Sequence, residues 1–302
     1  VTVTYHLLPP MGVVLGTGVI APLLLARARW AHHAPRLAVG AWLALAGALA
    51  FSGGLALAQL LLSWAGGQGV VGLLAACASE PERIPPGRDL LVIVAVSAIA
   101  ATGPPCGALV REYVCTRRSR ARHARVLRIV GRRSARLGVT LLDHDTPAVY
   151  CLPGRSPEIV VSSGAVRTLR AGELSAAVEH ERAHLAGRHH LLFTAAHALG
   201  SVYRRLPLGS GLRHQVPLLL EMAADDRVLR RCTRQELATA LYETAAGQAP
   251  RGAFALGGLS AVQRMNRILA TDRPRCPAAR GAFMLLASAL TVIPLIVACC
   301  SL

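Results

Sequence analysis

The chain has no lysine: all 33 of its basic residues are arginine, set against 16 Asp and Glu, for a formal charge of +17. That absence excludes a Ser-x-x-Lys acylation site anywhere in these residues. Charge of either sign is scarce, at 16% where a globular chain carries about 25%. Aromatics are only 4%, so the apolar mass is Leu, Ala, Val and Gly in long runs. Such a composition excludes intrinsic disorder and a collagen-like chain, and a mean hydropathy of +0.44 argues against a purely soluble protein. The eight cysteines (Cys77, Cys106, Cys115, Cys151, Cys232, Cys276, Cys299, Cys300) form no CxxC pair. Neither a disulfide framework nor a structural zinc knuckle follows from them, and reducing cytoplasm plus membrane is the expected setting.

Spanning a bilayer takes roughly 20 apolar residues in a helix, because hydrocarbon offers no water to backbone groups. Four windows meet that length: Leu7 to Ala26, Leu37 to Ala65, Leu90 to Val110 and Ala282 to Leu302. Val1 to Pro10 lacks the basic start of a signal peptide, so the first window is read as a span. The loop after it carries Arg27, Arg29 and Arg36 with no acid. The loop before the third window sets Arg83 and Arg88 against Glu80, Glu82 and Asp89 and so carries no positive excess, whereas Arg111 to Arg136 is intensely basic. This asymmetry predicts a cytoplasmic first loop and a cytoplasmic region after Val110, with the amino terminus and the end after the fourth span outside.

The expected organisation is three spans over 1–110, a cytoplasmic domain over 111–280 and a fourth span over 281–302. Within the domain, Thr116 to Leu137 reads as a basic amphipathic helix. Val139 to Leu142, Tyr150 to Leu152 and Ile159 to Ser162 read as strands, the last two separated by a turn of Pro153, Gly154, Ser156 and Pro157. Helices are expected over Leu174 to Gly187 and Leu191 to Tyr203. Pro207, Gly209, Ser210 and Gly211 are expected to break the chain before a helix at Leu218 to Arg231. Thr233 and Glu236 spell a capping box for a helix through Ala245. The result is an α+β domain hung from membrane helices.

The chemistry is concentrated in Val178-Glu179-His180-Glu181-Arg182-Ala183-His184. Two histidines four apart share a helix face about 6 Å apart, so both imidazoles can converge on one metal ion. Glu181 projects beside the open coordination position, suited to move a proton from water to a leaving amine. This is the HExxH zinc-hydrolase arrangement, calling for one Zn²⁺. Two residues compete as third ligand, Glu221 in Leu220-Glu221-Met222-Ala223-Ala224-Asp225-Asp226 and His190 in the longer pattern His180 to His190. On an unbroken helix His190 would lie about 15 Å beyond His180 along the axis, reachable only by a fold-back near Gly187. The apolar run Leu191 to Ala196 favours resumed helix instead, so Glu221 is the expected ligand. Asp225, one turn on, is placed to orient a ligand histidine. His189 and His197 read as incidental; His214 is too, or else a donor to a tetrahedral intermediate.

Taken together, HExxH, the upstream "PEIVVSSG", the downstream "EMAAD" and the order of spans resemble the BlaR/MecR-type membrane metallopeptidases of bacteria. The resemblance covers nearly the whole chain. It implies an α-helical membrane protein with four transmembrane helices and a gluzincin-like zinc peptidase domain between the third and fourth. It further implies zinc on His180, His184 and Glu221, with Glu181 as base. Ile159, Val160, Val161 and Ser162 would belong to a small sheet that holds an extended substrate. The substrate class implied is a cytoplasmic protein, in this family a BlaI/MecI-like transcriptional repressor. The antibiotic sensors of the family add an extracellular penicillin-binding domain; with no Ser-x-x-Lys here, direct acylation is not expected. HtpX/Ste24-type quality-control proteases share the motifs, although their spans are arranged differently. A non-enzymatic alternative is an Arg-rich membrane-anchored protein whose Arg111 to Arg136 segment meets anionic lipid headgroups. Direct nucleic-acid binding is not expected, since no aromatic residues interleave the arginines.

Overall fold

A computed structural model of the chain describes residues 12–65, 87–134, 138–248, 257–270 and 281. The fourth expected span and the loop at 66–86 lie outside these residues. The chain is mostly helical, with one small sheet. It forms two compact units, Val1–Arg111 with Ala196–Val216 and Cys276–Leu302, and Glu112–Ala195 with Pro217–Arg275.

The first unit contains α1 (Gly12–Arg27, with a π turn at Gly16–Ile20), the short α2 (Arg29–His33) and α3 (Pro35–Ala65). It also holds most of the apolar part of α4 (Gly87–Val130). Two stretches are long and apolar enough to cross a membrane, Pro35–Ala58 and Leu91–Val130. The helix at Gly12–Arg27 is apolar but shorter. Along the second stretch Leu91, Val92, Val94, Val96 and Ile99 are exposed. By contrast α3 buries Ala38, Ala41, Trp42, Leu45 and Leu49.

After α4 the chain builds a four-stranded sheet from β1 (Arg132–Ser134), β2 (Val139–Leu142), β3 (Val149–Leu152) and β4 (Glu158–Ser162). The spatial order is β1-β2-β4-β3, with β2 and β4 parallel and the other pairs antiparallel. The three longer strands fall where the sequence predicted them. The helix expected to run to Leu137 stops at Val130, and Arg132–Ser134 is a strand instead. The stop is Gly131, whose N–H caps the Leu127 carbonyl at 2.7 Å. A Cβ there would come within 2.6 Å of that carbonyl and of the Thr140 side chain, so only glycine lets the helix end against β2.

Alternation along the strands sorts the two faces of the sheet. Val139, Ile159 and Val161 point to one face, where they pack with Ala165, Leu169, Ala177, Val178 and Ala240. Val160 and Leu152 point to the other and pack with Leu127 from the end of α4. Full burial of such aliphatic side chains stabilises by about 1.5–3 kcal/mol each. The first face receives α6 (Ala171–Ala186) and α9 (Arg234–Gln248); α5 (Ser163–Thr168) leads into α6. The expected capping box opens α9: Glu236 accepts from the Thr233 N–H at 2.9 Å and Thr233 accepts from the Glu236 N–H at 3.2 Å.

Two helices, α7 (His189–Val202) and α8 (Pro207–Val228), follow α6, and α10 (Gly257–Leu269) follows α9. The break expected across Pro207 to Gly211 is absent; Pro207 opens α8 and the small residues lie inside it. Their size serves packing, because Gly211 lies against the Trp42 ring, where a Cβ would collide. The divisions between units fall inside α4, α7 and α8, so residues 196–216 of the expected 111–280 domain group with the first unit.

Candidate metal centre

Helix α6 presents His180 and His184 on one face, as their spacing requires, with ring centroids 4.8 Å apart. The second ligand element is α8, which brings Glu221 across to them. His180 Nε2 and His184 Nε2 lie 3.1 Å apart, His180 Nε2 is 3.2 Å from Glu221 Oε2, and His184 Nε2 is 3.4 Å from Glu221 Oε1. Among the described residues these three form the group that could hold a metal ion. A tetrahedral ion with bonds of about 2.0–2.2 Å keeps its ligand atoms about 3.3 Å apart. Two imidazoles and a carboxylate whose donor atoms already face one another at that spacing fit zinc by distance and by chemistry.

The outer nitrogens of both imidazoles also face polar neighbours. Asp225 Oδ1 stands 3.2 Å from His180 Nδ1, off the line of a well-formed hydrogen bond. His184 Nδ1 is 3.0 Å from His189 Nδ1. With each Nε2 kept for a metal, each Nδ1 would carry the proton and face Asp225 or His189. His189 owes its position to the turn after α6, where Arg188 adopts φ 48° and Gly187 lies under the His189 ring, a place a Cβ would fill. So the helix does end at Gly187, yet the next helix begins at once and His190 is not brought to the cluster. Burial and the Arg120 and Arg188 charges lower the His190 pKa, and its buried Nδ1 finds no hydrogen-bond partner among the described residues.

Glu181 points into a cavity of about 280 Å³ shared with His180, Glu221 and Arg264, and walled by Val149, Leu237 and Leu241 among others. Its Oε2 accepts the backbone N–H of Cys151 at 2.9 Å. Glu179, two residues earlier, pairs instead with Arg182 and Arg231. Ile159, Val160, Val161 and Ser162 do not line this cavity. They form the interior strand, paired on both sides, so no edge of β4 is open to an extended peptide. Ser162 is further committed to the fold, accepting from the Ala148 and Ala165 N–H groups and donating to the Thr146 carbonyl. The strand beside Glu181 is β3, at the edge of the sheet. His197 and His214 belong to the first unit.

Sequence reasoning missed Arg264 altogether. It comes from α10, and its side chain is only 10% exposed. Nε and Nη2 donate to the two oxygens of Asp225 at 2.9 and 2.7 Å, and Nη1 lies 2.9 Å from Glu221 Oε2. One arginine among 33 carries no signal by itself. The recoverable hint was the pairing of Arg264 and Arg267, three apart, with the carboxylates of Asp225 and Asp226 on α8.

The electrostatics follow from this crowding. Burial opposes charge on His180, but hydrogen bonds to and charges on Asp225 and Glu221 prevail and raise its pKa to about 9. Burial likewise opposes ionisation of Glu221, yet His180, His184 and the Arg264 charge hold it well below the usual carboxylate range. Asp225 is lowered in the same way. The Cys151 thiol is pushed up, first by burial and then by Glu181.

No protein-family model, curated protein or solved structure matches the chain.

Proposed function

We propose that this chain is a membrane-embedded zinc endopeptidase that hydrolyses a peptide bond of a cytoplasmic protein. The observation that carries the reading is the convergence of His180 Nε2, His184 Nε2 and Glu221 at 3.1–3.4 Å, with Glu181 opening on the same cavity. His180, His184 and Glu221 would hold the ion. When bound, zinc supplies Lewis-acid polarisation of the scissile carbonyl and acidifies water. Glu181 takes the proton from the attacking water on one carboxylate oxygen while Cys151 N–H holds the other. It then delivers that proton to the departing amide nitrogen. Asp225 and His189 keep the two imidazoles turned so that Nε2 faces inward.

The fold of the second unit, a small sheet under helices that carry HExxH and a downstream glutamate, supports a gluzincin-like reading by that order of elements. Four spans with the peptidase side cytoplasmic remain the topology we propose, on the arginine asymmetry of the sequence. A transcriptional repressor is the substrate we propose, on the resemblance to the BlaR/MecR type. The test compares cleaved protein termini in host cells carrying the wild-type chain or Glu181→Gln. Termini that vanish in the variant identify the substrate. Identical termini in both would sink the peptidase reading.

A further inference from the structure

The guanidinium of Arg264 touches two of the three atoms of the candidate donor set. Nη1 lies 2.9 Å from Glu221 Oε2, the oxygen that also faces His180, and Nη2 comes within 3.5 Å of His180 Nε2. The remaining grip, on Asp225 through Nε and Nη2, fixes the group in place. Guanidinium is always charged, has donors only and cannot itself ligate a metal. At 10% exposure, water screens that charge little.

We propose that Arg264 is a resident rival to the metal, a built-in cation that sustains the metal-free site and at the same time weakens zinc binding. The proposal rests on reading His180, His184 and Glu221 as a metal site, and is independent of peptidase activity. Without a metal, Glu221 and Asp225 are two carboxylates one helical turn apart and both within reach of His180. Arg264 neutralises them and so preserves the spacing of the donors. With a metal held by bonds of about 2.0–2.2 Å, its charge would lie within about 5 Å of Nη1. Like charges that close repel appreciably even at the effective dielectric of a protein interior. The two effects have opposite signs, and that is what separates this role from one of orientation. An orienting residue raises affinity and its loss weakens binding. A rival cation lowers affinity and its loss tightens binding.

The experiment uses the full-length chain in detergent, stripped of metal, with zinc affinity read by competition against a chromophoric chelator. Arg264→Gln is expected to bind zinc about tenfold more tightly than wild type, since one neighbouring positive charge is gone. Its metal-free form should melt below wild type, and added zinc should narrow that gap. Arg264→Lys keeps the charge without the fork and is expected to stay within about threefold of wild type, because the rivalry is between charges. Weaker zinc binding by Arg264→Gln, or a loss beyond tenfold in Arg264→Lys, overturns the proposal in favour of orientation. The lysine variant decides the matter if the glutamine variant does not fold. If neither wild type nor Arg264→Gln takes up zinc, the metal-site reading itself falls, and this proposal with it.

Discussion

The backbone N–H of Cys151 on edge strand β3 donates to Oε2 of Glu181 on α6 at 2.9 Å. Sheet and helix are thereby joined at the residue proposed to move the proton, and the free oxygen of Glu181 is left to the cavity. A glutamine at 181 could still accept that hydrogen bond through its amide oxygen but could not take a proton. Glu181→Gln is therefore expected to retain full zinc while hydrolysis falls about a hundredfold or more. Metal content by atomic absorption and turnover of the identified substrate check both halves.

The ligand assignment predicts a contrast between two glutamate and histidine substitutions. Glu221→Ala should lose zinc at stoichiometric metal, because it removes a donor 3.2–3.4 Å from both imidazole nitrogens. His190→Ala should retain it. The reverse pattern would move the third ligand to His190 and remove the basis for the family reading.

Zinc uptake should depend on pH through His180. In the metal-free protein its imidazole holds a proton up to about 9, against an ordinary value near 6.5. That proton contributes stability to the metal-free fold which is complete below the ordinary value and is lost as pH rises through about 9. Zinc must displace it, so binding should release a proton at neutral pH and tighten between pH 6.5 and 9. Chelator competition at three pH values, with an indicator dye for the proton, checks this; a flat profile contradicts it.

The topology prediction rests on arginine counts alone. Reporter fusions after Arg36 and near Arg136 should read as cytoplasmic, and one near Glu82 as external. An external reading near Arg136 would take the candidate site out of the cytoplasm and end the repressor-cleavage idea.

On packing, Leu127 of α4 enters the sheet face opposite the site, at 2% exposure, with Ala124 beside it. Leu127→Ala is expected to cost about 2–5 kcal/mol in the unfolding free energy of the second unit. Chemical denaturation monitored by the near-ultraviolet signal checks it.

Much of this was legible in the sequence because the signals were local. HExxH on a helix, alternation in β2 to β4 and the Thr233–Glu236 cap each depend on residues a few positions apart. What escaped depended on distant partners. Gly209 and Gly211 read as turn formers, yet Gly211 is small because Trp42, far back in the chain, needs the room. The role given to β4 failed on strand order, since β3, inserted between the parallel pair in sequence, takes the edge in space. Arg264 was invisible because its two carboxylate partners lie about forty residues upstream.

The discontinuous second unit bears on how this protein can be handled. Between His184 and Glu221 the chain supplies Ala196–Val216 to the first unit, where Leu208, Leu212 and Val216 are fully buried. A fragment cut at residues 111 and 280 would keep that segment and discard the Trp42 helix that covers it. It should precipitate or self-associate through the bared leucines, even with His180, His184 and Glu221 all present. Excision of the second unit is therefore not a route to a well-behaved fragment, and the candidate site is best approached with the apolar helices of the first unit still attached.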